Sequence, residues 1–365
     1  MKDKLKAVIL VGGHGTRLRP LTYNTPKPMV PTVNVPFLEH VIRNLGGHNI
    51  SEIILAQYYL AESMQDYFGD GSKFGVRLRY VMEESPRGTA GAVKNVEKYL
   101  DGTFLVLNGD IFHNCDFTSM VKFHRRHKAQ VTIALTPVEN PTIYGVVETD
   151  SRGKVKRFTE KPKPEEVTTN MINAGTYVLE SEVLQRIPPD TKYSFEREVF
   201  PPMLADTKSV YAYSFDNYWM DMGTPEKYLQ LHRDILSGKC DNRLFEKDVT
   251  IGDKCDIHPS VQFSGKVIIG DNCVVGHGVR LTGPVVIGSH CTILENAVIA
   301  DSVLWHDVSI EQRAIIKSSV LADNCDIGDD SYLVDAVLGD HVTVDAGCKL
   351  KPGARVLPGE TVGNT

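Results

Sequence analysis

The sequence predicts an α/β domain with a mainly parallel sheet, followed by a second domain that is a parallel β-helix. In the first two thirds of the 365 residues, strand-like runs alternate with helix-like runs. After Cys240 the helical periodicity gives way to short repeated units that contain a glycine. We therefore place the domain boundary at this change and predict one domain over residues 1–240 and another over residues 241–365.

The strands predicted for the first domain are short runs rich in Val, Ile and Leu, a composition typical of strands buried on both faces of a sheet. They span residues 7–11, 52–57, 76–83, 104–108 and 131–136. The predicted helices span residues 90–100, 117–127 and 224–238. Thr224 suits the N-cap of the last helix, Pro225 its first turn and Gly238 its end. The alternation predicts a Rossmann-like sheet covered by helices.

The second domain repeats a short unit that begins with an aliphatic residue and a glycine and ends with a cysteine. The units span residues 251–255, 269–273 and 287–291, and so recur at a constant interval equal to three hexapeptides. This period predicts three short strands per turn, as in left-handed hexapeptide β-helices, which the repeats resemble. Cys255, Cys273 and Cys291 should form an inward ladder of small apolar side chains. Beyond Ala300 the repeats are less regular, and we expect insertions there to form loops.

Composition and charge argue against several classes of protein. No apolar run reaches the length of a membrane span, and the first residues show no signal peptide. Seven cysteines without a CxxC pair favour a reducing compartment, the cytoplasm, over a disulfide framework or a zinc site. The net charge is −6, and the region from Asp241 onward holds 10 basic and 18 acidic residues. Without a basic stripe or an apolar span, we expect neither nucleic acid nor membrane as a partner.

A glycine-rich loop follows the first predicted strand. Gly12, Gly13 and Gly15 leave backbone N–H groups open to an anionic ligand, as a phosphate cradle requires. The loop lacks the Gly-Lys-Ser/Thr of a P-loop and does not match the dinucleotide fingerprint. Taken alone, it is equally consistent with a turn that needs glycine for its backbone geometry. Arg17 and Lys27 follow closely, and two cations beside such a loop would neutralise a triphosphate.

This loop is the first of several motifs that occur in order along the chain. They span residues 12–20, 26–28, 88–91, 108–110, 144–147, 158–162, 173–175 and 219–223. Through these motifs the first two thirds of the chain resemble the nucleoside-diphosphate-sugar pyrophosphorylases, or sugar-1-phosphate nucleotidyltransferases. Residues 145–148 and 195–201 make the chain most similar to mannose-1-phosphate guanylyltransferases that carry a C-terminal β-helix. The resemblance implies nucleotidyl transfer from a nucleoside triphosphate to a sugar 1-phosphate, with release of pyrophosphate.

The resemblance assigns catalytic roles to four residues. Arg17 and Lys27 would hold the phosphates that leave, while Asp110 and Asp221 would hold the metal. Asp110 also follows a predicted strand, and ligands of open α/β sheets bind at the carboxyl ends of strands. Oxygen ligands and phosphates favour Mg²⁺ among divalent cations. The implied reaction is in-line attack by a sugar phosphate oxygen on the α-phosphorus, which needs positioning and charge neutralisation rather than a covalent nucleophile.

Further residues are expected to contact the two substrates. The expected nucleotide contacts are Leu10, Gly12, Gly13, Gly15, Thr16, Glu83, Glu84 and Gly88. The expected sugar-phosphate contacts are Gly145, Glu160, Lys161 and Asn173. In the second group, the Glu160 carboxylate can accept hydrogen bonds from two sugar hydroxyls, and the Lys161 ammonium can pair with the phosphate.

Two adjacent carboxylates bear on the choice of base. Guanine presents neighbouring N–H donors that one carboxylate can accept, whereas thymine and uracil suit an amide better. Relatives that use thymidine nucleotides carry glutamine where Glu83 falls. We therefore expect Glu83 or Glu84 to read guanine and predict GTP and mannose 1-phosphate as the substrates. Thymidylyl or uridylyl transfer to glucose 1-phosphate is the alternative.

Two functions of other classes also fit parts of the sequence. Hexapeptide β-helices form acyltransferases as well, whose sites need a histidine base. The histidines in the repeats are His258, His277, His290, His306 and His341. A regulatory paralogue that binds nucleotide sugars without catalysis should lack one of the four catalytic residues, and this chain has all of them. We expect the β-helix to serve assembly into a homo-oligomer, because stacked coils leave flat faces and an open end, and allosteric control is a second candidate role.

Overall fold

The computed structural model describes residues 5–58, 61–206, 209–240 and 247–363. Within these ranges the chain forms two compact units. The first contains the residues up to Gly13 together with Leu38–Asp221, and the second contains His14–Phe37 together with the residues from Met222 onward. The segment His14–Phe37 is therefore grouped with the β-helix rather than with the sheet. The domain division at residue 240 stays a prediction, and the contacts divide the chain differently.

A mixed sheet, nine-stranded in the described part of the chain, forms the core of the first unit. Its strands span Lys6–Leu10, Glu52–Gln57, Arg77–Met82, Thr103–Asn108, Val131–Pro137, Gly145–Thr149, Val155–Glu160, Met171–Glu180 and Val210–Ser214. The first four strands are parallel to one another, and Lys6–Leu10 lies between Glu52–Gln57 and Thr103–Asn108. The long strand Met171–Glu180 pairs antiparallel with Thr103–Asn108. The sheet is thus parallel on one side and mixed on the other.

The remaining elements outside the β-helix are helices, single turns and short strand pairs. The α-helices span Phe37–Gly47, Ala61–Phe68, Gly88–Asn95, Phe117–His127, Phe200–Ala205 and Pro225–Leu236. The 3-10 turns span Thr16–Leu18, Lys27–Met29, Ser72–Phe74, Glu97–Tyr99, Pro141–Ile143, Pro164–Glu166 and Ser181–Arg186, and Phe195–Val199 is a π-helical turn. The short strand pairs are Ile111–His113 with Trp219–Asp221 and Pro31–Thr32 with Val35–Pro36. None of the described helices is both long and apolar enough to cross a membrane.

The predicted strands and helices of the first domain are confirmed, with shifts of one or two residues at most strand ends. The strand over 52–57 and the helix over 117–127 have the predicted bounds. The helix predicted over 90–100 is instead an α-helix that ends at Asn95, followed by a 3-10 turn. The break falls at Val96, which is fully buried and leaves the helical backbone angles. The apolar pattern continues past this point because Tyr99 and Leu100 pack, partly buried, against the same core.

The helix predicted over residues 224–238 is confirmed as Pro225–Leu236. The Thr224 side chain caps it by accepting a hydrogen bond from the Lys227 N–H at 3.4 Å. Proline stands in the first turn, where its missing N–H costs nothing. Beyond the last turn, Gly238 adopts a φ of +80°, which ends the helix as expected.

Two parallel stacks of short strands form the β-helix of the second unit. The larger stack contains Val249–Ile251, Gln262–Ser264, Val267–Ile269, Arg280–Ile287, Val298–Leu304, Ile315–Lys317, Val320–Leu321, Tyr332–Val334, Val337–Leu338 and Arg355–Val356. The smaller stack contains Asp256–Ile257, Val274–Val275, Thr292–Ile293, Ser309–Ile310, Asp326–Ile327, Thr343–Val344 and Thr361–Val362. Aliphatic side chains from all turns fill one continuous core, as the repeats predicted.

The expectation of looped insertions beyond residue 300 is wrong. Early in the β-helix, Val267 pairs with Val285. Later, Val303 pairs with Val320 and Val320 with Val337, and each of these partners lies one position closer along the chain than in the early pair. These turns have lost a residue and have gained no loop, and the last turn, in which Val337 pairs with Arg355, has the early spacing again. The inward positions stay in register because strand pairing, and not the spacing along the chain, stacks one turn on the next.

The predicted cysteine ladder is confirmed. Cys273 and Cys291 are fully buried in the core, and Cys255 packs at its edge. Each thiol points at the turn that follows it, and the Cys273 thiol donates to the Gly288 carbonyl with a sulfur–oxygen distance of 3.1 Å. Cys325 extends the buried series in a later turn. The ladder therefore serves core packing.

Candidate active site

The glycine loop begins where the strand Lys6–Leu10 ends. A Cβ atom on Gly12 would lie 3.3 Å from the Tyr58 Cβ and 3.5 Å from Glu83 Oε1. A Cβ atom on Gly13 would meet no atom within 4 Å, and Gly13 is exposed. The loop therefore has one glycine packed beside a carboxylate and one whose backbone is open to a ligand.

Of the two glutamates considered as readers of the base, Glu83 is the one beside the loop. Its side chain is 5% exposed, and its Oε2 accepts a hydrogen bond from the Arg87 N–H at 2.9 Å. Burial raises the pKa of the Glu83 carboxyl, and the bond from Arg87 partly opposes this rise. Glu84 is exposed. Burial and the hydrogen bond from Arg87 therefore fix the orientation of the Glu83 carboxylate.

Gly88 opens the helix that follows this carboxylate. It adopts a φ of +72°, and a Cβ atom there would lie 2.7 Å from the Tyr193 carbonyl oxygen. The same oxygen accepts hydrogen bonds from the Ala90 and Gly91 N–H groups at 2.9 and 3.1 Å. Because no side chain fits between the helix start and Tyr193, glycine is required here. This packing fixes where the helix begins relative to Glu83.

The two predicted cations of the second unit lie on one packed piece of chain. Gly15 adopts a φ of +62°, and a Cβ atom there would lie 3.1 Å from the Lys27 Cβ. The Thr22 hydroxyl donates to the Gly15 carbonyl oxygen at 2.8 Å and closes the turn. Lys27 is 7% exposed, whereas Arg17 and its neighbour Thr16 are exposed. Within this unit, Gly15 allows the loop to pack directly on the lysine stem.

Strand pairing brings together the two carboxylates predicted to hold the metal. The short strand Trp219–Asp221 pairs antiparallel with Ile111–His113, so that Asp221 stands opposite Ile111. Asp110 is the residue before Ile111. Directly opposed residues in an antiparallel pair have Cα atoms about 5 Å apart, so Asp110 and Asp221 occupy neighbouring positions in the first unit.

Two glycines allow the strand ends around these carboxylates to pack closely. A Cβ atom on Gly109 would lie 2.7 Å from the Leu10 carbonyl oxygen. Gly175 adopts a φ of +71°, and its Cβ would lie 2.3 Å from Ile111 Cδ1 and 2.7 Å from Asn108 Nδ2. Any side chain at either position would push the segments apart. The motifs at 108–110 and 173–175 therefore meet without an intervening side chain.

The predicted sugar residues lie on the antiparallel part of the sheet. Glu160 stands directly opposite Gly145. A Cβ atom on Gly145 would lie 2.9 Å from Glu160 Oε2 and 2.7 Å from Phe158 Cζ, so glycine leaves room for the carboxylate. Lys161 is exposed and adopts a φ of +49°, with its N–H bonded to the Tyr144 carbonyl oxygen at 3.0 Å. This bond fixes the turn that carries Lys161 next to Glu160.

Asn173 is held at both ends of its amide. Its Oδ1 accepts a hydrogen bond from the Gly175 N–H at 3.0 Å, and its Nδ2 donates to the Tyr177 hydroxyl oxygen at 2.8 Å. The Tyr177 hydroxyl in turn donates to Glu196 Oε1 at 2.8 Å. The orientation of Asn173 therefore depends on Glu196.

Glu196 is a residue of this site whose contacts no sequence motif predicted. Its other oxygen, Oε2, accepts hydrogen bonds from the Thr89 hydroxyl at 2.8 Å and the Ser194 hydroxyl at 2.5 Å. With Tyr177, three hydroxyls fix this one carboxylate. It lies in the π-helical turn Phe195–Val199, and such turns are frequent at functional sites. The sequence signal was the motif at 195–201, which indicated a sub-family and not a contact.

The charge of Glu196 also acts on Glu160. Burial raises the pKa of the Glu160 carboxyl, and the negative charge of Glu196 raises it further. The cations of Lys161 and Arg197 oppose this rise. Glu160 consequently takes up a proton more readily than an exposed glutamate does.

The carboxylate pair suits a hard divalent cation that takes some of its ligands from a substrate. In the described ranges, no group of three or more His, Cys, Asp or Glu side chains could hold a metal ion by itself. Asn108 Oδ1, two residues before Asp110, is a buried amide oxygen without a hydrogen-bond partner. Mg²⁺ is commonly held by one or two carboxylates together with substrate phosphates and waters. Asp110, Asp221 and this amide oxygen match that set of donors.

In two of the β-helix histidines, His258 and His306, one ring nitrogen accepts a hydrogen bond from the backbone. His306 Nδ1 accepts a hydrogen bond from the Ser289 N–H at 3.0 Å. His258 Nδ1 accepts one from the Ser260 N–H at 3.1 Å, and its ring lies edge-on to that of His277 with centroids 5.1 Å apart. These nitrogens hold turns of the β-helix. They give the acyltransferase alternative no support.

The fold defines an α/β protein with a C-terminal hexapeptide β-helix. Residues 6–238 match the family model described as nucleotidyl transferase, which covers more than half of the chain. The chain belongs to this nucleotidyl transferase family. Residues 248–283 match the bacterial transferase hexapeptide model, and residues 282–365 match the model described as the GMPPB C-terminal domain.

Individual relatives match just under two thirds of the chain. The mannose-1-phosphate guanylyltransferase of Mycobacterium tuberculosis is 44% identical over 237 residues, which are 64% of this chain and 66% of that protein. The UTP–glucose-1-phosphate uridylyltransferase of a Synechocystis species is 37% identical over 252 residues, 65% of each protein. The chain thus matches just under two thirds of the length of these relatives.

A solved structure shares the fold of a large part of the chain. The crystal structure of HddC from Yersinia pseudotuberculosis complexed with GMP-PN superposes with a TM-score of 0.55 at 30% sequence identity. The match covers 63% of this chain and 99% of HddC.

Proposed function

We propose that the protein is a sugar-1-phosphate nucleotidyltransferase that joins GTP and mannose 1-phosphate into GDP-mannose and releases pyrophosphate. The observation that carries this proposal is the pairing of Asp221 with Ile111, which sets two carboxylates on neighbouring positions beyond the parallel strands. The similarity to the Mycobacterium tuberculosis guanylyltransferase supports the substrate pair.

The proposed reaction is a single in-line displacement. An oxygen of the sugar phosphate forms a bond to the α-phosphorus of the nucleoside triphosphate, while the bond from that phosphorus to the oxygen bridging to the β-phosphorus breaks. The electron pair leaves with pyrophosphate, so no proton transfer and no covalent enzyme intermediate is needed. Such a reaction depends on holding the two phosphates in line and on neutralising their charge.

Two cationic side chains, together with a metal ion held by two carboxylates, would neutralise the phosphate charge. Arg17 and Lys27 would hold the β- and γ-phosphates, and the packing of Gly15 on Lys27 holds the turn Thr16–Leu18, which carries Arg17, beside the lysine. Asp110 and Asp221 would hold Mg²⁺. When bound, the ion neutralises phosphate oxygens and orients them for displacement.

Other residues would read the rest of the two substrates. The open backbone of Gly13 and the glycines around it would receive the phosphates, and Glu83 would accept hydrogen bonds from guanine. Glu160 and Asn173 would bind sugar hydroxyls, with Lys161 on the sugar phosphate. The hydrogen bonds of Glu83 and Asn173 support these roles, because they fix both side chains before a ligand arrives.

The test is pyrophosphate release across a grid of substrates. GTP, dTTP, UTP and ATP are each paired with mannose 1-phosphate and with glucose 1-phosphate, in Mg²⁺ and again after addition of EDTA. The proposal expects turnover with GTP and mannose 1-phosphate that EDTA abolishes and excess Mg²⁺ restores. Preference for UTP or dTTP with glucose 1-phosphate would contradict the substrate pair, and release from no pair would contradict the activity.

The similarity to the Synechocystis uridylyltransferase is the observation that keeps a second candidate, uridylyl transfer to glucose 1-phosphate. Uridylyl transfer would use the same carboxylates and cations, and its substrates would differ in the base and in the sugar. The substrate grid separates the two candidates directly. A regulatory paralogue would bind GDP-mannose in equilibrium dialysis and release no pyrophosphate.

We also propose a cytoplasmic location and assembly into a homo-oligomer through the β-helix. The first rests on seven cysteines that are all free thiols in the structure, which suits a reducing compartment. The second rests on the parallel stacks, whose terminal strands leave backbone groups for another chain. Light scattering of the purified protein at several concentrations measures the mass, and a monomer throughout would contradict the assembly.

A further inference from the structure

The segment His14–Phe37, which carries both predicted cations, is fastened to the β-helix by side-chain hydrogen bonds within the second unit. The Asn34 amide donates to the Ile287 carbonyl oxygen at 2.8 Å, and the Asn24 amide donates to Asp340 Oδ2 at 3.2 Å. Both acceptors belong to turns of the β-helix. The segment is thus connected to an early turn of the repeats and to a late one.

A buried pair of aromatic residues makes the central connection. Tyr228, in the helix Pro225–Leu236, and Trp305, in a β-helix turn, are both fully buried. The Trp305 indole N–H donates to the Tyr228 hydroxyl oxygen at 2.9 Å, and the Tyr228 hydroxyl donates to the Pro31 carbonyl oxygen. One hydroxyl therefore links the β-helix to the segment.

The helix that carries Tyr228 is itself held on the β-helix. The Arg233 guanidinium makes two hydrogen bonds to the Asp301 carboxylate, at 2.8 and 2.6 Å. On its other side, His232 Nε2 accepts a hydrogen bond from the Val33 N–H at 3.1 Å, and the His232 side chain is 1% exposed. The helix therefore contacts the β-helix through a partly exposed ion pair and the segment through a buried histidine, whose hydrogen bond allows little adjustment.

Pro31 is close to Lys27 along a tightly bonded stretch. The Val30 N–H donates to the Lys27 carbonyl oxygen at 3.3 Å, and the Phe37 N–H donates to the Val30 carbonyl oxygen at 3.1 Å. Gly15 packs on the Lys27 side chain, and the turn Thr16–Leu18, which contains Arg17, follows Gly15 directly. A displacement of Pro31 is consequently passed on to both cations.

We propose that Tyr228 is a positioning residue for catalysis, which sets Arg17 and Lys27 through the Pro31 carbonyl and makes their placement depend on the β-helix. The inference rests on the proposed function for its kinetic consequence. It gives the β-helix a role in the chemical step, in addition to assembly. Pyrophosphate, the product those cations would hold, should be the ligand most affected.

The test compares Tyr228→Phe, which removes only the linking hydroxyl, with Tyr80→Phe. The Tyr80 hydroxyl also donates to a backbone carbonyl, that of Gly69 at 2.6 Å, but in the first unit. Tyr228→Phe should lower kcat about tenfold and weaken inhibition by pyrophosphate to a similar degree. The KM for the sugar phosphate should change less than about twofold, because the sugar residues belong to the other unit. Tyr80→Phe should leave all three values unchanged.

A purely structural role for Tyr228 makes a different prediction. Ile327→Val shortens a fully buried core side chain of the same β-helix and serves as a stability control. Equal kinetic losses in Tyr228→Phe and Ile327→Val at equal loss of Tm would overturn the proposal. Wild-type kinetics in Tyr228→Phe would overturn it as well.

Amide hydrogen exchange tests the connection without using activity. Exchange in residues 14–37 should become at least about tenfold faster in Tyr228→Phe and remain unchanged in Tyr80→Phe. Asn34→Gly, which keeps the φ of +64° and loses the bond to Ile287, should raise exchange in the same residues and provides a second variant if the first does not fold. Unchanged exchange in both variants would overturn the inference. If the wild type released no pyrophosphate, the proposed function would fail while the exchange result still decided the connection.

Discussion

At the scale of single residues, the site depends on carboxylates whose surroundings differ. Glu83 and Glu84 are neighbours in the sequence, but the first is buried beside Gly12 and the second is exposed. The negative charge of Glu196 raises the pKa of the Glu160 carboxyl, which burial already raises. Burial and neighbouring charge therefore distinguish residues that have identical chemistry.

The first prediction concerns the base. Glu83→Gln should lower the ratio of kcat/KM for GTP to kcat/KM for UTP by about tenfold or more. A carboxylate has two oxygens that can accept the two neighbouring N–H groups of guanine, whereas an amide has only one acceptor oxygen. Pyrophosphate release with each triphosphate measures the ratio. Glu84→Gln is the matched control and should leave it unchanged. Equal ratios in Glu83→Gln and the wild type would remove Glu83 as the reader of the base.

The second prediction concerns pH. Glu160 can accept hydrogen bonds from two sugar hydroxyls through both of its oxygens only as a carboxylate, and protonation turns one of these oxygens into a donor. The KM for the sugar phosphate should therefore rise as the pH falls through the pKa of this carboxyl. That pKa is raised by burial and by the charge of Glu196. Glu196→Gln removes the charge, lowers the pKa of Glu160 and should move the rise in KM to lower pH.

The profile of KM against pH measures this shift. Glu198→Gln is the control, since Glu198 is an exposed acid on the same turn whose carboxylate accepts the Ser194 N–H at 2.7 Å. A profile that moves equally in both variants, or in neither, would contradict the coupling of Glu160 to Glu196.

At the scale of secondary-structure elements, close contact between backbones positions the catalytic carboxylates. The turn at Gly109 touches the end of the first strand, and Gly175 touches the segment before Ile111. The strand that ends at Asp221 pairs with the one that begins at Ile111. Three elements therefore determine where Asp110 and Asp221 stand.

The third prediction tests this close packing. Gly109→Ala places a Cβ atom 2.7 Å from the Leu10 carbonyl oxygen, and neither backbone segment can move away alone. We expect a loss of about 2 kcal/mol or more in the free energy of unfolding, with loss of activity in the protein that folds. Urea denaturation measures the first and pyrophosphate release the second.

Gly47→Ala is the control for this substitution. Gly47 ends the helix Phe37–Gly47, and a Cβ atom there would meet nothing within 4 Å. Its free energy of unfolding should stay within about 0.5 kcal/mol of the wild type. Similar losses in both variants would show that the close contact at Gly109 does not matter.

At the scale of the whole molecule, nearly all of the thiols are packed inside. Six of the seven cysteines are buried, and Cys255 is partly exposed at the edge of the β-helix core. Burial also raises the pKa of the Cys255 thiol, which slows its reaction. The chain therefore hides its cysteines in the folded state.

The fourth prediction follows from this distribution. A thiol reagent should modify about one cysteine slowly in the native protein and all seven after unfolding in guanidinium chloride. Absorbance of the released chromophore counts the thiols. Cys255→Ser should bring the native count to about zero, and rapid modification of several thiols in the native protein would contradict the packed ladder.

The sequence predicted those parts of the molecule that local patterns determine. Buried parallel strands show as apolar runs, and the helix that Thr224 caps was identifiable from its end signals. The role of Glu196 was not predictable, because its partner Thr89 is distant along the chain and only the tertiary fold brings them together. The shortened turns of the β-helix were missed for a similar reason: pairing between strands sets their register, and the deletion of one residue disrupts the repeat as it is read along the chain.

An early segment of the chain belongs to the unit that is otherwise built from the end of the chain, and this limits how such proteins can recombine during evolution. Residues 14–37 are encoded near the start of the gene, yet they pack with the helix Pro225–Leu236 and the β-helix encoded near its end. A recombination event that joined the first half of this gene to the second half of a relative's would separate Asn34 from Ile287 and Pro31 from Tyr228. Viable hybrids should therefore be those that inherit these partners together, so that the two ends of the gene diverge as a linked pair.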